Sequence, residues 1–253
     1  MLFGFKKKKK QSFAETLPAP ERLRESLRHI AFIMDGNGRW AKKRLLPREQ
    51  GHVAGAKNFV NVIEHCGDIG IETVTVYAFS TENWNRPERE VSALMNLFGE
   101  YMERALLKSK ERGLRVVFLG DKARYPEKLR QVAEALEADT KDGKLTLNVA
   151  INYGSRDEIV NAVNSLIAAG KTSVTKEDIS RSLYTAASPD PDLIVRTGGE
   201  YRISNFLLWQ SAYAEYFFTE TLWPDLSADE IDAIVLAFLN RDRRFGGVKD
   251  TKQ

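Results

Sequence analysis

His29-Ile30-Ala31-Phe32-Ile33-Met34-Asp35-Gly36-Asn37-Gly38-Arg39-Trp40 runs from an unbroken apolar segment straight into a carboxylate, two glycines and an arginine. Residues 30–34 have the continuous apolar character of a strand covered on both faces. Asp35 then falls where the backbone leaves the sheet. Gly36 and Gly38 permit a tight turn and close approach to a ligand, and the N–H groups of the helical turn that follows can point at an anion. Arg39 adds a planar fork for phosphate oxygens. A carboxylate beside a phosphate-binding turn is repulsive unless a cation lies between them, so the stretch predicts Mg²⁺. Taken alone, a G-x-G is a weak signal, since an ordinary strand-to-helix turn with solvated charges has the same letters.

Outward from this stretch, apolar runs recur at 73–79, 115–119, 145–151 and 192–195, with helical patterns near 53–68, 88–111, 126–140, 155–168, 176–184 and 227–240. The alternation predicts one α/β domain, a mostly parallel sheet flanked by helices. Val91, Leu94, Met95, Phe98, Met102, Ala105 and Leu106 recur at helical spacing, the pattern of a core-facing stripe. After the strands come Ser80-Thr81-Glu82-Asn83-Trp84-Asn85-Arg86, Gly120-Asp121, Asn152-Tyr153-Gly154-Ser155-Arg156 and Arg196-Thr197-Gly198-Gly199. Polar groups and glycines thus gather at carboxyl ends of strands, where open parallel sheets bind ligands.

The charge is unevenly placed. The chain of 253 residues carries a formal +3, but removing Lys6 to Lys10 leaves 33 basic against 35 acidic residues, about −2. The basic pI therefore belongs to the tail, which argues against a duplex-binding surface on the folded body, and no nucleic-acid partner is expected. Residues 1–28 read as a basic flexible tail, 29–247 as the domain and 248–253 as a short flexible end. Phe3 and Phe5 beside the lysines suit a peripheral contact with an anionic membrane, the alternative being a solubilising tail. No apolar stretch has the ~20 residues of a spanning helix. Cys66 is the only cysteine, which excludes an intramolecular disulfide and a cysteine-based zinc site and fits a cytoplasmic protein.

Arg39, Arg48, Arg86, Arg196 and Arg202, with His52 as a further donor, imply two anionic groups or one polyphosphate. Yet the sequence contains neither G-x-x-x-x-G-K-[ST] nor a G-x-G-x-x-G at a strand-to-helix junction. The serines lack a G-x-S-x-G setting, and His29, His52 and His65 lack metal-ligand spacing, so triad and zinc hydrolysis are unsupported.

From His29 to Gly247 the chain resembles the cis-prenyltransferases, in particular the bacterial undecaprenyl diphosphate synthases. The resemblance rests on His29 to Trp40, Tyr77 to Pro87, Asn152-Tyr153-Gly154, Ile194 to Glu200, Arg202 to Gln210, Ala212 to Glu215, Trp223-Pro224 and Arg243 to Gly247. The D-D-x-x-D motif of the helical trans-prenyltransferases is absent. The resemblance implies repeated condensation of isopentenyl diphosphate onto an allylic diphosphate, usually farnesyl diphosphate, to a long cis-polyprenyl chain, the undecaprenyl carrier-lipid precursor of cell-wall synthesis. It assigns Gly36, Asn37, Gly38, Arg39, Arg48 and His52 to the allylic diphosphate, with Trp40 beside it. Arg196, Arg202, Ile203 and Ser204 fall in the isopentenyl diphosphate site. Asp35 holds Mg²⁺, with Glu215 of the same or a partner subunit as a second ligand.

Asn83 takes the position usually assigned to proton acceptance, although an amide is a poor base and better suited to orienting a water or a diphosphate oxygen. Ser80, Thr81, Glu82, Trp84 and Arg86 complete that loop, where Trp84 as packing and Glu82 as a cap are the structural alternatives. The resemblance further implies an apolar product tunnel between sheet and helices, with small Ala78 leaving room and Leu145 limiting length. It also implies a homodimer in which Arg244-Phe245-Gly246 reaches a neighbouring site. Tyr201 stands where several relatives carry histidine, and it is not counted as a metal ligand. Two other readings compete: a non-catalytic partner subunit of a heteromeric prenyltransferase, and a phosphate-handling protein that binds nucleic acid through its tail.

Overall fold

The computed structural model describes residues 16–108 and 113–241, without the side chains of 105–108. A central sheet of six parallel strands has the order β3-β4-β2-β1-β5-β6. The strands are β1 (His29–Ile33), β2 (Thr73–Ser80), β3 (Leu114–Leu119), β4 (Leu145–Tyr153), β5 (Leu193–Arg196) and β6 (Glu215–Phe218). The helices are α1 (Pro20–Arg24), α2 (Asn37–Lys43), α3 (Arg48–Asp68), α4 (Glu88–Lys108), α5 (Glu127–Asp139), α6 (Ser155–Ala168), α7 (Lys176–Ser182) and α8 (Ala228–Leu239). No helix among the described residues is long and apolar enough to cross a membrane.

The predicted α/β class and the parallel sheet are observed, and the sheet is parallel throughout. The tail boundary at residue 28 needs correcting. Pro20–Arg24 is helical, and Leu23 and Leu27 are fully buried in the core. β6 was not predicted. Met1 to Lys10 and Arg243 to Gly247 lie outside the described residues.

Side chains alternate along each strand, so each strand supplies two cores. Ile30, Phe32, Val74, Val76, Val116, Phe118, Leu147 and Val149 pack with α3, α4, α5 and α8. Ala31, Ile33, Tyr77, Ala150 and Ile194 face the other way, onto Phe206 and Leu207. The pairing of β2 with β4 shifts register between Tyr77 and Ser80, so Ala78 sits at a bulge. Tyr77 and Phe79, two residues apart, consequently serve opposite cores.

β1 and β5 are neighbours whose onward connections diverge, β1 to β2 on one side and β5 to β6 on the other. Such a switch point opens a crevice beyond the carboxyl ends of its two strands. Asp35 and Arg196 stand there.

Candidate active site

At the β1 end, Gly36 caps α2 with φ of 110°, and a Cβ there would meet Leu222 at 2.9 Å. The peptide carbonyl of Asp35 accepts from Trp223 N at 3.0 Å and Thr197 Oγ1 at 2.7 Å. Its carboxylate is thus held at a fixed point, where Arg196 Nη2 donates at 2.9 Å and Arg39 Nη2 lies at 3.1 Å. Burial alone would raise the Asp35 carboxyl, but the hydrogen bonds and charges of Arg196 and Arg39 outweigh it and hold it below the ordinary carboxylate range. Arg196 is buried; it also donates to Ser204 Oγ at 2.8 Å and to the carbonyl of Arg202. Arg39 donates to the carbonyl of Gly198 and lies 3.9 Å from Glu200, which also pairs with Arg202. Gly198, with φ of 88°, is required here because a Cβ would stand 2.6 Å from the Arg39 guanidinium.

A second cluster lies between α3 and the start of α4. Glu90 Oε1 accepts from Arg86 at 3.1 Å and lies 3.0 Å from Arg48 Nε. His52 Nε2 is 3.8 Å away and makes no hydrogen bond. Burial lowers the pKa of His52, and Arg48 and Arg86 lower it further against the pull of Glu90, so the ring is neutral at pH 7 and this contact is not an ion pair. Gly38 faces the Arg48 guanidinium, 3.2 Å from where its Cβ would be. Asn37 settles onto α3 at Gly51 and Gly55, where a Cβ would overlap the Asn37 carbonyl at 2.0 Å and its side-chain oxygen at 2.2 Å. That side-chain oxygen has no hydrogen-bond partner, and neither does Arg196 Nε.

The loop after β2 is more structural than the resemblance implies. Ser80 N donates to Asn83 Oδ1 at 3.1 Å, so the amide oxygen is occupied and the NH₂ is the group left to offer a ligand. Thr81 Oγ1 donates to Asp157 at 3.3 Å and Glu82 accepts from Asn205 at 3.1 Å, clasping this loop to the start of α6 and to the 203–207 segment. Trp84 donates to Asn152 Oδ1 at 2.7 Å, meets Phe79 edge-on and lies under Arg124. Trp40 donates to Asp225 at 2.7 Å and carries the Arg44 guanidinium on its ring. Ile203 packs against the second core. Tyr201 is exposed and donates to Glu220 at 3.1 Å.

Asp35, Asn37, His52, Ser80, Asn83, Arg86, Arg196, Arg202 and Ser204 line one cavity of about 1460 Å³. From them the cavity continues along the sheet between α3 and α4, past Ala78, Phe59, Ile63, Leu94, Phe98 and Met102, to Leu145 near Gly67. Polar groups meet at the Asp35 end, hydrocarbon lines the middle, and charged residues including Arg24, Arg28, Glu72 and Lys144 border the other end.

Glu215 does not join Asp35 within the chain. It pairs with Leu193 at the amino end of β6, three residues before the Arg196 register, and its carboxylate is engaged by Arg241. That offset is roughly 10 Å along the strand. Of the two expected arrangements, the one within a single subunit is therefore not formed. Among the described residues no three His, Cys, Asp or Glu side chains cluster as a metal cage. Asp35 nevertheless fits Mg²⁺, which is commonly held by one or two carboxylates together with substrate phosphates. Glu90 and Glu200 are site residues that sequence reasoning did not single out. Each has a local partner, Arg86 four residues before Glu90 and Arg202 two after Glu200, a spacing that marks many solvated surface pairs; the links to Arg48 and Arg39, 42 and 161 positions away, have no local signal.

The sequence model of a family described as "Putative undecaprenyl diphosphate synthase" matches residues 33–246. The chain belongs to the isoprenyl transferase family. It is 54% identical over 224 residues to an isoprenyl transferase of Fusobacterium nucleatum, covering 88% of this chain and 97% of that protein. Among solved structures it resembles lavandulyl diphosphate synthase of Lavandula x intermedia, in complex with dimethylallyl diphosphate, with TM-score 0.83 and 30% identity, covering 87% and 98% of the two chains. A probable undecaprenyl diphosphate synthase of Campylobacter jejuni superposes with TM-score 0.75 and 36% identity, covering 87% and 98%. The chain is accordingly a transferase of the cis-prenyl class.

Proposed function

We propose that this isoprenyl transferase joins isopentenyl diphosphate in cis to farnesyl diphosphate and repeats the step to a polyprenyl diphosphate of undecaprenyl length. The observation that carries the reading is the single cavity that begins among Asp35, Arg196 and His52 and continues between apolar walls. The allylic diphosphate lies against the Gly36–Arg39 turn, with Arg48 and His52 around it. Isopentenyl diphosphate lies on Arg196, Arg202 and Ser204.

In the reaction the allylic carbon–oxygen bond breaks, a carbon–carbon bond forms, and the isopentenyl unit loses a proton. Negative charge accumulates on the departing diphosphate, and the guanidinium groups of Arg39 and Arg48 would offset it. Asp35, ionised at neutral pH, would hold Mg²⁺. When bound, the ion supplies Lewis-acid stabilisation of that diphosphate. Asn83, its oxygen already committed to Ser80, orients through its NH₂ and leaves the proton to water or a diphosphate oxygen. Trp40, Thr81, Glu82, Trp84 and Ile203 act by holding these groups in place.

The growing chain fills the cavity past Ala78 toward Leu145. We further propose a cytoplasmic homodimer, with Glu215 reaching a cation only from a second subunit, and product passing to the membrane. Farnesyl diphosphate, labelled isopentenyl diphosphate and Mg²⁺, followed by chain-length analysis of the extracted lipid, tests the reading. A discrete long polyprenyl product is expected. No product alongside an active control enzyme would favour a non-catalytic subunit.

A further inference from the structure

The turn between α2 and α3 has a property that folding does not explain. Leu45 has φ of 56° and is 95% exposed, and Leu46 beside it is 43% exposed. A β-carbon is disfavoured in left-handed backbone, which makes glycine the usual occupant. Here the residue is a leucine whose side chain touches almost nothing. Singly exposed leucines are ordinary. Two in succession at the tip of a turn, one held against its backbone preference, are less so. Nor is the tip frayed: Leu45 N donates to the Lys42 carbonyl at 3.2 Å and Leu46 N to that of Ala41 at 3.0 Å.

The charges around the tip are mainly basic. Lys42, Lys43 and Arg44 are exposed immediately before it. The nearby acids are engaged: Asp225 by Trp40 and Arg44, and Glu49 by Arg89 at 3.9 Å. We infer that Leu45 and Leu46 enter the interface of an anionic phospholipid bilayer while Lys42 and Lys43 lie at its headgroups. Two apolar side chains are far too little for a stable protein interface, which needs about 800 Å² from each partner. Insertion into lipid needs no matching surface. The tip is one short helix away from Gly38, so docking brings the charged end of the cavity close to the membrane. The inference rests on this surface alone and stands apart from the prenyl-transfer reading.

The test compares the full chain with its Leu45→Gly/Leu46→Gln variant in co-sedimentation with phosphatidylglycerol–phosphatidylcholine vesicles and with phosphatidylcholine vesicles. The lysine tract is present in both proteins, so their difference reports the tip. The wild-type chain should bind the anionic vesicles, less at high salt, and the variant at least about tenfold more weakly. Glycine accepts the left-handed backbone, so the variant should melt no lower and keep its turnover in detergent. Equal binding by the two proteins, or no binding by the wild type, would overturn the inference. So would a smaller oligomer for the variant by light scattering, since a second copy would then cover the leucines.

Discussion

The same strands supply both faces of the central sheet, yet one face is left hollow and the other is filled. Toward α3, α4 and α5 the side chains border a cavity of about 1460 Å³. On the opposite face Tyr77 stacks on Phe206 at a centroid separation of 4.6 Å, and Tyr153 meets both rings edge-on. That face also carries buried polar groups that are nearly all satisfied. His29 Nδ1 is 2.7 Å from the Pro189 carbonyl, so it bears the proton, and Nε2 accepts from Thr75 Oγ1 at 2.7 Å. Asn148 donates to Thr75 and to Ser188, each at 3.0 Å. Glu158 accepts from Tyr153 at 2.5 Å, Gln210 at 3.0 Å and Tyr184 N at 2.9 Å. Burial raises the Glu158 carboxyl despite those donors. The filled face thus fixes the 203–211 segment, and with it Ser204, whose carbonyl accepts from Tyr77 at 3.3 Å. One face makes room, and the other supplies the rigidity that the hollow face lacks.

The largest expected effect lies where the two faces meet. Asp35→Asn keeps the shape and an acceptor for Arg196 but removes the charge, so Mg²⁺-dependent turnover should fall at least about 10³-fold, with a lower melting temperature because buried Arg196 loses its counter-charge. Turnover within tenfold of wild type would remove Asp35 from the chemistry. Next, truncating a ring on each face compares their packing directly. Phe206→Ala should cost about 3–5 kcal/mol in denaturant unfolding, whereas Phe98→Ala, on the cavity wall, should cost under about 2 kcal/mol. Equal costs would break the contrast between the faces.

Acid sensitivity sharpens it further. Burial pushes His29 from 6.5 down to about 4, so as the pH falls the unfolded chain takes up the proton first. Stability that is complete above pH 6.5 should be lost between 6.5 and about 4, by up to roughly 3 kcal/mol. The difference between wild type and His29→Gln in urea unfolding across that range isolates the histidine, and a pH-independent difference would refute it. Smallest is the expected effect of Ala78→Leu, which fills the cavity beside the bulge. It should shorten the product by a few isoprene units on chromatography while leaving the first condensation intact, and unchanged length would place the growing chain elsewhere.

Much of this was legible in the sequence because regular elements declare themselves locally. The apolar runs at 30–34, 73–79, 115–119, 145–151 and 192–195 correspond to β1 to β5 within a few residues. That Asp35 and Arg196 both lie at carboxyl ends of strands was legible from the same runs, but their ion pair was not. β6 was missed because Glu-Tyr-Phe-Phe is too short to show a period. α1 was absorbed into the tail because it is only five residues long and follows the lysine tract. Trp40 and Trp84 stand in matching motifs, but their indole N–H groups are committed to Asp225 and Asn152, a fact of tertiary structure alone. The bulge at Ala78 is likewise invisible to alternation, which would put Tyr77 and Phe79 on the same side.

Gly51 and Gly55 present a bare strip of α3 on which Asn37 rests, and replacing Gly51 would drive a Cβ into backbone rather than into a yielding side chain. The Gly36–Arg39 turn and α3 are therefore packed as one block, and on the function proposed above the anchor of the substrate would be fixed relative to the wall that its hydrocarbon follows. For a polymerising enzyme that amounts to a ruler with a fixed zero. On that reading product length would be retuned by changing the far end of the scale, while a change at the glycines would displace its origin for every cycle of growth.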